Sequence, residues 1–145
     1  SSGIFKQFPS KSAILSVILM GRTIGLGAAQ SVNLFHFVEG RVCPHAHLII
    51  SMAKRHKSVK RLEIVSTSDT EATYEIELTN GFKKRHTYTI EMARKAGLAD
   101  RKIWLARPAE MLRKTCAVQL IRMVIPDAAL GLYSIEELGY EVEAA

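Results

Sequence analysis

The chain has 145 residues, 48% of them hydrophobic, and carries a formal net charge of +6, a size that buries enough apolar surface to fold without disulfide or metal staples. Its two cysteines, Cys43 and Cys116, are far apart and form no C-x-x-C pair, which excludes a disulfide framework and favours a reducing, cytoplasmic setting. The longest strongly apolar run, 13–20, is far short of the ~20 residues that cross a bilayer, and no signal-peptide pattern precedes it. The stretch SAILSVILMGRTIGLG, 12–27, has apolar residues on nearly every face of a helix and predicts a buried one. Pro9 and Ser10 supply its start signals, and Gly25 and Gly27 its stop signals. From Val32 to Val38 the pattern alternates, and Glu39-Gly40 can turn the chain into 41–43, which reads as a β-hairpin. Pro44 opens a helix over 45–57 with Leu48, Ile49, Met52 and Ala53 on one stripe.

That helix ends in the run KRHKSVKR, 54–61. Three strands follow, at 62–66, 72–79 and 82–90, with Asn80-Gly81 as a two-residue hairpin turn. This places Thr79 opposite Phe82, Glu77 opposite Lys84 and Glu75 opposite His86, and it mixes Tyr74, Ile76 and Leu78 with Lys83, Arg85 and Thr87 on a partly exposed face. Thr89 caps a short helix that Gly97 ends. A long helix from Pro108 to Ile125 is apolar on most faces and should form the spine of the core, yet Arg107, Lys114 and Arg122 fall within a sector of roughly 80°. Ser134 and Glu137 bracket a capping box on a short acidic helix. The expected fold class is α+β, with antiparallel hairpins and a three-stranded meander packed against four to five helices around the long C-terminal one.

Charge is distributed unevenly. Residues 41–122 hold seventeen Lys or Arg against eight Asp or Glu, whereas 123–145 hold five acids and no Lys or Arg. A basic body attracts phosphate polymers through counterion release.

The segment WLARPAEMLRKTCAVQLIRMVIPDAALGLYSIEELG, 104–139, resembles the signature of the RecT/Bet family of phage single-strand DNA annealing proteins. The matching positions are Trp104, Pro108, Met111, Leu112, Arg113, Ala117, Arg122, Pro126, Asp127, Gly131, Tyr133, Glu136, Glu137 and Leu138. Weaker similarity runs through 2–26 and 32–57, so the resemblance covers nearly the whole chain. Ala109 and Glu110 depart from the basic residues that some Bet-like members carry just before Met-Leu-Arg. The resemblance implies an α+β annealing core that pairs complementary single strands without ATP, as a homo-oligomeric ring or helical filament with DNA in a basic groove. It implies a bacterial cytoplasm as the setting, phage or prophage DNA as the substrate and a partner exonuclease. One annealing domain spanning 1–145 is expected. The start at Ser1-Ser2-Gly3 without methionine, and the greater length of family members, point to missing N- and C-terminal flanks.

Annealing requires a surface that neutralises two repelling backbones while bases stay free to pair, work that Lys and Arg on rigid elements perform without a nucleophile or proton transfer. Arg107, Arg113, Lys114 and Arg122 on the long helix are candidates for phosphate contact, as are Lys54, Arg55, Lys57, Lys60 and Arg61. Lys83, Lys84 and Arg85 on the hairpin complete the set. Trp104, Phe82 and Tyr88 are candidates for stacking on bases, although a lone Trp before a core helix more often packs. No catalytic residue, resident metal or cofactor is expected, with Mg2+ the one candidate modulator. The alternative is a metal-dependent nuclease built on Glu75 and Glu77 or on Cys43, His45 and His47. No G-x-x-x-x-G-K-[ST] loop is present, which removes ATP binding by that route.

Overall fold

The structure is a computed structural model and describes residues 10–38, 41–129 and 132–138. Pro9, the Glu39-Gly40 turn and Gly131 lie outside the described residues. The chain divides into two compact units, Ser1–His45 and Ala46–Ala145.

In the first unit, α1 (Lys11–Thr23) starts where the sequence signals it: the Ser10 hydroxyl accepts the Ala13 amide at 3.1 Å. A second helix, α2 (Ala28–Leu34), replaces the first half of the expected strand. Gln30 accepts the Gly27 amide at 3.1 Å and so initiates a helix that reaches Leu34. The hairpin then forms from β1 (Phe35–Val38) and β2 (Arg41–Pro44), with His36 opposite Cys43. Seven alternating residues were too few to separate a strand from a helical turn leading into one. The all-round burial expected of α1 is not found: Ala13, Val17 and Gly21 are buried, but Leu15 and Leu19 are 56% and 49% exposed.

The two helices touch at Gly21, where a Cβ would sit 1.7 Å from the Ser31 hydroxyl oxygen and 2.7 Å from the Ser31 Cβ. Ser31 is buried and its hydroxyl donates to the Gly27 carbonyl at 2.9 Å, so it cannot turn aside freely. Gly21→Ala is therefore expected to cost this unit about 1 to 3 kcal/mol, seen as faster proteolysis within α1 and α2. The compensating Ser31→Gly change should restore resistance, because it removes both clashing atoms.

In the second unit, α3 (Ala46–Arg55) leads through a turn into an antiparallel sheet of β3 (Val59–Thr67), β4 (Glu71–Leu78) and β5 (Lys83–Thr89), in the order β3-β4-β5. There follow α4 (Ile90–Lys95), α5 (Lys102–Ala106), α6 (Pro108–Val124), a 3-10 turn (Pro126–Ala129) and α7 (Ile135–Leu138). Pro108 at the first turn of α6 and the Thr89 cap on α4, whose hydroxyl accepts the Met92 amide at 3.2 Å, match the sequence signals. The C-terminal half of α6 packs Val118, Leu120 and Ile121 against Ile49 and Ala53 of α3 and Leu62 and Ile76 of the sheet. Its N-terminal half packs Met111, Leu112 and Cys116 against Ala72, Tyr88 and Trp104. The long helix is thus the spine of an α+β unit. The Cys116 thiol donates to the His86 carbonyl at 3.1 Å, and burial pushes its pKa up to about 11.

The register of the β4–β5 hairpin differs from the expected one by a single residue. Leu78 pairs with Phe82 through a 2.8 Å amide bond, the Gly81 amide donates to the Leu78 carbonyl, and Gly81 adopts φ +93°. The connection is a three-residue loop, Thr79-Asn80-Gly81, with glycine supplying the left-handed residue. A one-residue slip exchanges every partner across the ladder: Glu77 faces Lys83, Glu75 faces Arg85, and Tyr74 faces His86. The face bearing Ile76, Ala72 and Tyr88 becomes the core face, in place of the partly exposed mixture expected.

Candidate nucleic-acid interface

The basic run at 54–61 is not one surface. Lys54 and Arg55 end α3, residues 56–58 form the turn, and Lys60 and Arg61 belong to β3. The strand begins at Val59, three residues before the expected start at 62, and Arg61 finds carboxylates on it and across the sheet: it donates to Glu75 at 2.6 Å, to Glu77 at 3.2 Å, and to its strand neighbour Glu63. Arg85 donates to the other Glu75 oxygen at 2.7 Å. Arg85 and then Arg61 hold the Glu75 carboxyl down at about 2. Burial works to raise the Glu77 pKa, but Arg61, Lys60 and Lys83 around it outweigh burial and leave it lowered. The two acids proposed for a nuclease are therefore committed to arginines. Among the described residues, no group of three or more His, Cys, Asp or Glu is placed to hold a metal ion.

The α6 cations are also engaged. Arg107 lies 3.5 Å from Glu110, and Lys114 lies 3.1 Å from Glu110 and 3.7 Å from Glu136. Arg122 is bidentate on Glu137, donates to the Leu132 carbonyl at 2.9 Å, and lays its guanidinium 4.4 Å from the centroid of the Tyr133 ring. Glu137 accepts the Ser134 amide at 2.9 Å while the Ser134 hydroxyl accepts the Glu137 amide at 3.2 Å, which completes the expected capping box. Glu136 accepts the Ala46 amide at 2.9 Å and so caps α3 from ninety residues away. Arg113 faces Tyr74, where burial raises the phenol's pKa and the arginine charge opposes that rise.

One group of cations without a close ion pair lies near one end of the sheet. The Thr79 amide donates to the Ser58 carbonyl at 2.9 Å, Val59 pairs with Leu78, and Lys83 pairs with Glu77. These bonds bring the turn after α3, which carries Lys57, against the β4–β5 loop; Lys83, opposite Glu77, lies on the Glu75–Glu77 face of β5, and Lys84, opposite Ile76, on the other. Among the described residues, Lys54, Arg55, Lys57, Lys83 and Lys84 make no ion pair, and Lys60 makes a long one of 3.7 Å with Glu77. Phe82 beside them is 48% exposed. Trp104 and Tyr88 are core residues with tilted rings, centroids 6.4 Å apart, so neither reaches a base without leaving the core.

Residues 39–145 match the RecT family. The chain belongs to that family. No curated protein and no solved structure matches it. For this RecT-family protein the α6–α7 segment acquires a structural meaning: Arg122, Tyr133, Glu136 and Glu137 form a latch that fastens α7 to α6 and to the start of α3. Sequence reasoning missed the latch because it treated Arg122 as a free cation. The capping box was the visible signal, since it aims Glu137 back toward the turn that Arg122 also reaches. No helix among the described residues is long and apolar enough to cross a membrane.

Proposed function

We propose that this protein binds single-stranded DNA and anneals complementary strands without ATP, as a homo-oligomeric, non-catalytic factor in phage-type recombination in the bacterial cytoplasm, alongside a partner exonuclease. The observation that supports this reading within the family is the set of cations without a close ion pair, Lys54, Arg55, Lys57, Lys83 and Lys84, on the end of α3, the turn after it and the start of β5, with Lys60 in only a long pair. Cations that are not already paired are the ones whose counterions a phosphate chain can release. They are carried by the end of α3, the turn after it and the starts of β3 and β5, elements anchored by backbone hydrogen bonds, so in this reading they hold the backbone at fixed points and leave bases free. The exposure of Phe82 next to Lys83 supports a stacking role for it. Arg107 and Arg113 extend the contact along α6 in this reading, while Lys114, Arg122, Arg61 and Arg85 act chiefly within the protein. The exposed Leu15 and Leu19 on α1 support self-association, because such an apolar stripe favours burial against another chain.

The test is annealing of complementary oligonucleotides without ATP or metal, followed by a fluorescence pair on the two strands. Protein should accelerate pairing, with the effect lost steeply as salt rises. Coating of each strand without faster pairing would reduce the function to binding, and strand cleavage on adding Mg2+ would replace it with the nuclease.

A further inference from the structure

The basic turn is held by two residues, His56 and Asp127. His56 follows the last residue of α3 and is largely buried. Its Nδ1 accepts the Ser58 amide at 3.1 Å, and its Nε2 lies 2.7 Å from Asp127 Oδ2. A backbone amide can only donate, so Nδ1 is the lone-pair nitrogen and Nε2 carries the proton that it gives to Asp127. Asp127 stands in the 3-10 turn that follows α6, in the Pro126-Asp127 step of the family match. His56 thus ties the centre of the basic turn to the end of the core helix, and the residue it holds, Ser58, is the one whose carbonyl receives the Thr79 amide of the hairpin loop. One imidazole thus holds the turn that carries Lys57 where it meets the loop leading to Lys83 and Lys84.

We propose that His56 and Asp127 are positioning residues for single-stranded DNA, aligning the two halves of the basic end without touching the strand themselves. This rests on the functional reading above. The charge of Asp127 makes the proposal separable from plain electrostatics. Asp127 is an exposed acid close enough to Lys57 to feel its charge. If it only neutralised cations, removing it would tighten DNA binding. If it positions them, removing it weakens binding despite the gain in net positive charge.

The experiment measures binding of the full chain to oligothymidine across a salt series for wild type, Asp127→Ala, Asp127→Asn and His56→Gln, with thermal midpoints recorded in parallel. Asp127→Ala should weaken binding about fivefold and flatten the plot of log K against log salt by about 1.4, the loss of two phosphate contacts at ~0.7 each. Asp127→Asn keeps an oxygen for the Nε2 proton while losing the charge, and should bind at least as tightly as wild type. His56→Gln keeps a donor toward Asp127, but with that amide in place its carbonyl does not stand where Nδ1 accepts Ser58, and it should resemble Asp127→Ala. Should Asp127→Ala be too unstable to assay, His56→Gln carries the same expectation. Binding by Asp127→Ala and His56→Gln as tight as wild type, with unchanged salt slopes, overturns the positioning role while leaving the interface standing. A wild-type protein without salt-sensitive binding overturns the interface and this role with it.

Discussion

Glu137→Ala is expected to destabilise the protein by about 3 kcal/mol, because it strips a largely buried guanidinium of its bidentate partner. The Glu137 side chain is 7% exposed and that of Arg122 25%, so water cannot fully replace the lost carboxylate. The Ser134 amide and hydroxyl lose their acceptor in the same stroke. For a chain of this length the melting temperature should drop by about 10 °C in a thermal scan followed by circular dichroism. Arg122→Ala should do comparable damage while leaving the salt dependence of DNA binding as it is in wild type. A salt slope that falls with Arg122→Ala, at unchanged melting temperature, would return this arginine to the DNA surface.

The second large effect concerns the basic end itself. Replacing Lys57, Lys60, Lys83 and Lys84 together with alanine is expected to lower the salt slope for single-stranded DNA by about 3 and to weaken binding on the order of a hundredfold near 0.1 M salt. Exposed lysines contribute little to folding, so the melting temperature should stay within a few degrees of wild type. Arg107→Ala, whose partner Glu110 already offsets its charge, should change affinity less than about threefold. If the arginine variant lost more binding than the quadruple lysine variant, the groove would run along α6 instead of across the sheet end.

The elements that could be read from the sequence are those whose signals are local. The Thr89 cap, Pro108 at the start of α6, the capping box at Ser134 and the three strands each depend on a few neighbouring residues, and each is found. The hairpin register was not legible, because Asn-Gly serves a two-residue turn and a three-residue loop equally well, and only the burial of Ile76 and Tyr88 against α6 selects between them. The candidate site was legible in its residue types more than in its membership. Sequence shows that Lys114 and Arg122 share a helical sector, but not that Glu136 and Glu137 return from the next helix to meet them. Nor does it show that the turn carrying Lys57 meets the loop before Lys83, since that adjacency is made by the bond from the Thr79 amide to the Ser58 carbonyl.

The bond from the Ala46 amide to Glu136 joins positions ninety residues apart. Closing so wide a circuit is entropically expensive and is repaid only when the intervening sheet and α6 are already in place. During synthesis the ribosome must therefore release α7 before α3 receives its final cap, and a nascent chain halted short of residue 136 would leave that helix start and Arg122 without their carboxylates.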